Sequence, residues 1–341
     1  MVSGAPMVDC EELGVIGRGM FGEAVLVQDS RTHEKMVVKH IPLAGLDEHE
    51  IKEALKEAKA LRMLKHPNIV SFRKCWASDG VRPCVRLSEN NYVEPRPVMN
   101  MAAFLQSVAQ PEDPDALPRS LNILTDYVDG GSLDRLIARN SEPFAEQLIS
   151  VWFAQMVMGV EHMHQHCILH RDIKPANIFI TRTGVVKLGD LGSCKILETP
   201  NEQCTSEYGS PLYLGPEVWS HHIVTEKSDM WSLGCVVYEL MSHVPPFEAP
   251  ELSYKVITCQ PSPLPSCYSK ELCETVFERM LKKDPELRCS AQELMKEPYA
   301  KQSIASWLQI SSSAGPSAGN EMQVDGTFVK KCIDSLTPWQ S

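Results

Sequence analysis

The sequence predicts an α+β protein of two lobes: a small β-rich N-terminal lobe with one main helix, and a larger α-helical C-terminal lobe. Three observations carry that expectation. Residues 11–41 alternate short strand-like runs with a glycine cluster, from residue 144 onward apolar residues recur at helical spacing, and the chain is long enough, at 341 residues, to bury two such bodies.

The elements follow in order. "LGVIGRGMFGEAVLVQ" and "KMVVKHIPL" read as a hairpin and a third strand. Residues 47–65 are rich in helix formers, place Ile51, Leu55 and Ala58 on one face, and stop at "HPN". "IVSFRKCWA" reads as a fourth strand. Ser78 to Pro118 is rich in proline, asparagine and serine, an insertion of about 40 residues inside a compact domain; only "MNMAAFLQSVA" within it suggests a short helix. "LNILTDYVDGGSL" is a strand entering a turn. Between Phe144 and His166, Trp152, Phe153, Met156, Val157, Val160 and Met163 have helical spacing, and helical patterns dominate from Gly209 to about Ile310. "SSSAGPSAGNEMQVDG" reads as a flexible linker. The expected division is an extension at 1–9, an N-lobe at about 10–127 with the insertion at about 78–118, a C-lobe at about 128–300, and a partly flexible tail at 301–341.

Composition narrows the function. The formal net charge is -11 and no long basic run occurs, which argues against nucleic acid or an anionic membrane as partner. Twelve cysteines are scattered from Cys10 to Cys332 without a C-x-x-C pair, so reduced thiols in a cytosolic or nuclear protein are expected. The N-terminus lacks an apolar signal core and no run approaches the ~20 residues of a membrane span.

Four groups of residues carry chemistry. "GRGMFGEA" places Gly17, Gly19 and Gly22 at G-x-G-x-x-G spacing, and "AVLVQD" continues as a strand, not the helix a dinucleotide fingerprint needs. Such glycines let backbone N–H groups approach phosphates, although an ordinary Gly-rich hairpin has the same look. Lys39 lies between apolar residues in a strand, on the face opposite Val38, and Glu57 on the next helix can pair with it; a solvated strand lysine is the bland alternative. "HRDIKPAN" offers Asp172 to accept a hydroxyl proton, Lys174 to neutralise a phosphate and Asn177 to hold a metal through its amide oxygen. Asp190 in "GDLG", eighteen residues after Asp172, suits an oxygen-seeking cation such as Mg²⁺. Phosphoryl transfer needs this set: positioning, charge neutralisation and metal.

In this order the motifs resemble the signature set of eukaryotic protein kinases over roughly residues 10–300. "HRDIKPANIFITRTGVVKLGDLG", "KSDMWSLGCVVYEL" and "LPSCYSKEL" are similar to the NIMA-related (NEK) Ser/Thr kinases, nearest the short branch that is little more than a kinase domain. The resemblance implies a bilobal protein kinase fold, an ATP substrate and Mg²⁺, with Mn²⁺ as an alternative. It implies ATP contacts at Ile16, Gly17, Arg18, Gly19, Gly22, Ala24, Val37, Lys39, Thr125, Asp126, Val128 and Phe179. Among these, Val37 is the adenine ceiling, Phe179 the floor, Thr125 the gatekeeper and Asp126 to Val128 the hinge. Asp172 becomes the base, with Lys174, Lys39 and Glu57 as catalytic partners and Asn177 and Asp190 as metal ligands. Thr205, Ser206, Ser210 and Glu217 fall in the activation segment, with Ser206 the favoured phosphosite, and Arg171, Asp229 and Arg288 are structural.

Three departures stand out: Leu191 in place of the phenylalanine of D-F-G, "GPE" at Gly215–Glu217 in place of A-P-E, and Ser210 where threonine is usual. Little loss is expected, because Asp190 is intact and Glu217 can still pair with Arg288. The implied partners are protein substrates with Ser or Thr acceptors, an upstream kinase or autophosphorylation, and cytoskeletal proteins; neither nucleic acid nor membrane is expected. The implied setting is cytoplasmic, at cytoskeleton, centrosome or basal body, or nuclear. A catalytically silent pseudokinase or scaffold acting through the insertion and tail is the competing expectation.

Overall fold

The computed structural model describes residues 10–19, 22–46, 48–78, 119–199, 202–205 and 209–313. Residues 79–118 of the insertion, including "MNMAAFLQSVA", and "AGPSAGNEMQVDG" of the expected linker lie outside them, as does Ser206, while the linker's first three serines are the end of a helix. The chain divides into two compact units, residues 1–62 with 71–127, and residues 63–70 with 128–341.

The first unit is built on an antiparallel five-stranded sheet of order β1-β2-β3-β5-β4. Its strands are β1 (Cys10–Gly19), β2 (Gly22–Asp29), β3 (Lys35–Pro42), β4 (Phe72–Ser78) and β5 (Ser120–Asp126), with helix α1 (Glu48–Met63) between β3 and β4. The period of two is visible in β3. Met36, Val38 and His40 are buried while Val37 and Lys39 are half-buried, so one face enters the core with Val25, Val27 and Leu124 and the other is left for chemistry. The predicted face of α1, Ile51, Leu55 and Ala58, is buried, together with Ala54 and Leu61. The polar groups that alternation buries on β3 and β5 are satisfied. His40 Nδ1 shares a 2.8 Å hydrogen bond with Asn122 Oδ1, and Asn122 Nδ2 donates to Ser78 Oγ at 3.2 Å. Ser78 and Ser120 are register partners, so the insertion leaves and rejoins the sheet at neighbouring residues.

In the second unit α2 (Leu133–Arg139) precedes the long α3 (Glu146–Gln165). Trp152, Phe153, Met156, Val157, Val160 and Met163 are all at or below 1% exposure, so α3 is covered on most sides and forms the centre of its unit. Three short antiparallel pairs follow: β6 (Ile168–Leu169) with β9 (Lys195–Ile196), β7 (Ile178–Ile180) with β8 (Val186–Leu188), and β10 (Cys204–Thr205) with β11 (Ile223–Val224). The remaining α-helices among the described residues are α4 (Pro216–His221), α5 (Glu226–Ser242), α6 (Leu252–Thr258), α7 (Lys270–Glu274), which runs on into a π-helix at Thr275–Met280, α8 (Ala291–Leu294) and α9 (Pro298–Ser313). Thr225 and Ser228 form a reciprocal cap on α5, and Ser290 and Glu293 do so on α8, satisfying N–H groups that a helix start leaves without partners.

Two features lie across the expected divisions. The end of the C-lobe near residue 300 falls inside α9, whose Ala300, Ser303 and Trp307 are buried at helical spacing and which packs on α3, with the Tyr299 ring 5.9 Å from Phe153. Residues 63–70, inside the stretch expected as the N-lobe, fold with the second unit. The cause is Asn68. Its fully buried amide donates to Gln155 Oε1 and Val186 O, both at 2.9 Å, while Leu188 N–H donates to Asn68 O and Val70 N–H to Leu188 O. "HPN" thus does more than stop a helix; it fastens the chain to α3 and β8.

Candidate active site

The residues singled out in the sequence fall into two groups, one in each unit. In the first unit the β1–β2 hairpin pairs Gly17 with Ala24, Arg18 with Glu23 and Gly19 with Gly22. A side chain at Gly22 would bring its Cβ to 2.0 Å from His40 O, so only glycine allows this approach of backbone to backbone. Ala24 lies opposite Lys39, Lys39 opposite Ile123, and Val37 opposite Thr125. Cross-strand partners share a face, so Gly17, Ala24, Val37, Lys39 and Thr125 lie on the same side of the sheet. Lys39 Nζ is 2.8 Å and 3.0 Å from the two carboxylate oxygens of Glu57, which is 4% exposed on α1. A cation fixed by a buried carboxylate beside a glycine hairpin is suited to the phosphates of a nucleotide. Ile16, at the register shift of β1 between Val15 and Gly17, is an exposed apolar side chain. Asp126 closes β5, its carboxylate accepting from Arg73 Nε, and Val128 is buried at the start of the second unit.

In the second unit a tight polar group surrounds Asp172. Ser210 Oγ donates to Asp172 Oδ1 at 2.8 Å, Lys174 Nζ lies 2.7 Å from Asp172 Oδ2 and donates to Ser210 Oγ at 2.7 Å, and Asn177 Nδ2 donates to Asp172 Oδ2 at 2.9 Å. Asp172, Lys174, Asn177 and Ser210 therefore form one network, with the carboxylate at its centre. Asn177 and Asp190 are drawn together by the backbone, since Gly189 N–H donates to Asn177 O at 3.0 Å. Gly189 leaves no room for a side chain: its Cβ would lie 2.7 Å from the Phe179 ring and 2.9 Å from Val70. Asp190 has the left-handed conformation (φ 52°, ψ 72°), rare for a residue with a side chain and costly unless surroundings hold it. Leu191 is fully buried, so the D-F-G departure leaves an apolar anchor, and the Cys194 thiol is buried as well.

The donor set fits Mg²⁺. No cluster of three or more His, Cys, Asp or Glu able to hold a metal occurs among the described residues. Mg²⁺ in phosphate-transfer sites, however, takes one or two protein oxygens and fills its shell with phosphate oxygens and water. An Asn amide whose nitrogen is fixed to Asp172, near a carboxylate at Asp190, supplies such oxygens.

The loop carrying the network is held from below by Asp229, a residue the sequence marks only as structural. Its Oδ1 accepts the Arg171 N–H, and its Oδ2 accepts the His170 N–H and pairs with His164 Nε2, each at 2.9 Å. Arg171 has a left-handed backbone (φ 65°), and these bonds hold it there. Burial pushes the Asp229 carboxyl up, but the hydrogen bond and charge of His164 and the neighbouring His170 outweigh it and hold the group below the usual carboxylate range. His164 was not anticipated; the repeated histidines of "HMHQHCILH" were the available signal. The Arg171 guanidinium donates to the carbonyls of Ser193 and Cys194, next to β9, and Thr205 is exposed in β10.

The activation segment ends in a buried ion pair. Arg288 Nη1 and Nη2 meet Glu217 Oε1 and Oε2 at 2.8 and 2.9 Å, with Arg288 fully buried, and Ser228 Oγ donates to Glu217 at 2.9 Å. Burial raises the Glu217 carboxyl, yet the two Arg288 bonds and its charge hold it below its ordinary value. The glycine of "GPE" has a use here. A Cβ at residue 215 would lie 2.7 Å from both carboxylate oxygens of Glu217. Gly215→Ala is therefore expected to displace the carboxylate and lower stability by about 1–3 kcal/mol, despite restoring the common motif. Chemical denaturation of the two proteins checks this, and an alanine variant as stable as the parent contradicts it.

The family model described as "Protein kinase domain" matches residues 10–300. The chain belongs to the protein kinase family. Its similarity extends to three mouse proteins in particular. Serine/threonine-protein kinase Nek4 is 32% identical over 303 residues, 88% of this chain and 33% of its own length. Serine/threonine-protein kinase Nek3 is 34% identical over 287 residues, 83% of this chain and 48% of its own. Serine/threonine-protein kinase Nek1 is 31% identical over 297 residues, 86% of this chain and 21% of its own. The chain thus spans less than half of the length of each, and the resemblance to the NIMA-related kinases lies in the kinase domain. Among the described residues, no helix is long and apolar enough to cross a membrane.

Proposed function

We propose that this protein transfers the γ-phosphate of ATP to serine or threonine hydroxyls of protein substrates. The observation that carries the reading is the Asp172–Lys174–Asn177–Ser210 network. Asp172 Oδ1 already accepts a hydrogen bond from a hydroxyl, that of Ser210 at 2.8 Å, so the carboxylate can orient a substrate hydroxyl and take its proton as the oxygen attacks. Lys174, bonded to the same carboxylate, offsets the charge of the transferring phosphoryl group. Lys39, held by Glu57, contacts the α- and β-phosphates. Asn177 and Asp190 would hold Mg²⁺, or Mn²⁺ in its place, and the metal would neutralise the phosphate oxygens. Ile16, Gly17, Arg18, Gly19, Gly22, Ala24, Val37, Thr125, Asp126, Val128 and Phe179 complete the nucleotide contacts in this reading.

A silent pseudokinase is not favoured, since Lys39, Asp172, Asn177 and Asp190 are all present. Family resemblance supports a domain of about 10–300, an apolar residue three positions before the acceptor, and a cytoplasmic or nuclear setting with roles at microtubules, centrosomes, basal bodies or in the cell cycle. It also supports activation by phosphate on Ser206, with Arg171 as the pairing cation, supplied by an upstream kinase or by autophosphorylation. Ser206→Ala is expected to lower activity on an added acceptor, and full activity in that variant removes the regulatory part of the reading. For the reaction itself, the protein is incubated with Mg·ATP and a casein or histone mixture and the labelled residues are identified. Phosphoserine or phosphothreonine is expected; label confined to phosphotyrosine overturns the assignment.

A further inference from the structure

Three histidines that the phosphotransfer site does not use are stacked where residues 66–70 meet α3. The His66 and His162 rings lie 4.9 Å apart at 27°, and the His162 and His166 rings 4.3 Å apart at 46°. Each ring is half-buried. The hydrogen bonds fix how two of them carry their protons. Asn68 N–H donates to His66 Nδ1 at 3.1 Å, so that nitrogen must be bare. His166 Nδ1 faces the carbonyl of His162 at 2.8 Å, so that nitrogen must carry hydrogen. His162 Nε2 is buried without a hydrogen-bond partner. The charged group facing His66 from β8 is Lys187, whose ammonium donates to Pro67 O at 3.1 Å. From α3 it faces His162, which in turn faces His166, and the neighbouring Glu161 carboxylate is engaged by Gln165 Nε2 at 2.9 Å.

We propose that this stack is an acid-sensitive latch: while neutral it holds the 66–70 turn on α3, and protonation within it releases the turn. A proton on His66 Nδ1 would point at the Asn68 N–H, ending that bond, and would place a cation beside His162 and the Lys187 ammonium. Asn68 is the residue whose amide ties the turn to Gln155 and Val186, so the loss is transmitted to the anchor itself. Burial, the facing His162 and the charge of Lys187 push His66 down to about 4; burial and His166 lower His162 as well. The sign follows from linkage. Between the ordinary histidine value of about 6.5 and the folded value of about 4, the unfolded chain binds a proton that the folded chain does not. Stability is thus intact above about 6.5 and is lost as the pH falls towards 4.

Two measurements on the full chain test the latch. In the first, histidine ring resonances are followed by NMR from pH 8 to 4.5; His66 is expected to stay neutral to the end of stable folding. A His66 midpoint near the free value of about 6.5 overturns the proposal. In the second, the unfolding equilibrium is measured at pH 7.5 and 5.5 for the parent, His66→Asn and His162→Gln. Asparagine keeps an oxygen that the N–H two residues on can donate to, without titrating. From His66 alone, the parent's unfolding constant is expected to rise about tenfold between those pH values, and His66→Asn is expected to remove that rise. His162→Gln is expected to shrink it and to raise the His66 midpoint. The same pH dependence in all three proteins contradicts the latch. Should His66→Asn fail to fold, His162→Gln and the NMR titration decide alone.

Discussion

Asp172→Asn is expected to lower phosphate transfer by about 10²–10⁴-fold with little change in stability. The substitution keeps the shape of the side chain and one oxygen, and Asp172 sits among donors: the hydroxyl of Ser210, the amide of Asn177 and the ammonium of Lys174. An asparagine oxygen can still accept from part of that set. What it loses is the negative charge that draws a proton off an incoming hydroxyl and pairs with Lys174. The deficit should therefore appear in kcat, with the KM for ATP nearly unchanged and an unfolding midpoint close to that of the parent. A variant within a fewfold of the parent rate would remove Asp172 from the chemistry.

The second large effect concerns stability. Arg288→Met is expected to destabilise the chain by about 3–5 kcal/mol, because it leaves the Glu217 carboxylate buried without its counter-ion. Arg288 is fully buried and, besides Glu217, it donates to the carbonyls of Lys227 and Lys282. Methionine fills the stem but satisfies none of these acceptors. The loss should be steepest near neutral pH. A carboxyl held below its ordinary value stabilises the fold above the ordinary carboxylate range and ceases to do so as the pH falls through its folded value. Without Arg288 the buried carboxyl can reduce its cost by taking up a proton, so the variant should regain part of its deficit in mild acid. Urea denaturation at pH 7.5 and 5.5 measures both. A deficit below about 1 kcal/mol, the size typical of an exposed pair, would mean that Glu217 finds another partner.

Much of this was legible in the sequence, for physical reasons that differ by element. The strands of the first unit could be read because alternation there is two-sided: Val38 enters the core while Val37 and Lys39 do not. The centre of α3 was legible because six large apolar residues fall at helical spacing. The Asp172 group was legible because a spacing of two and five residues places a base, a cation and an amide on a single turn. What escaped notice depended on contacts distant in sequence. His164 reaches Asp229 across 65 residues, and Asn68 reaches Val186 across 118; no local pattern encodes either. Helical patterning was legible to about Ile310, close to the Ser313 end of α9, although serines and an exposed Leu308 dilute the apolar signal around the buried Trp307. Gly215 looked like a harmless departure, and only the position of the Glu217 carboxylate shows what its missing Cβ makes room for.

The most direct test of the central claim is transfer of labelled γ-phosphate from Mg·ATP to a protein acceptor, run on the full chain beside Asp172→Asn with bound ATP measured in both samples. The proposed function predicts that both proteins bind ATP and that only the parent labels serine or threonine at an appreciable rate. Equal labelling by the two, or ATP bound by a parent already phosphorylated at Ser206 with no transfer to any acceptor, would contradict it.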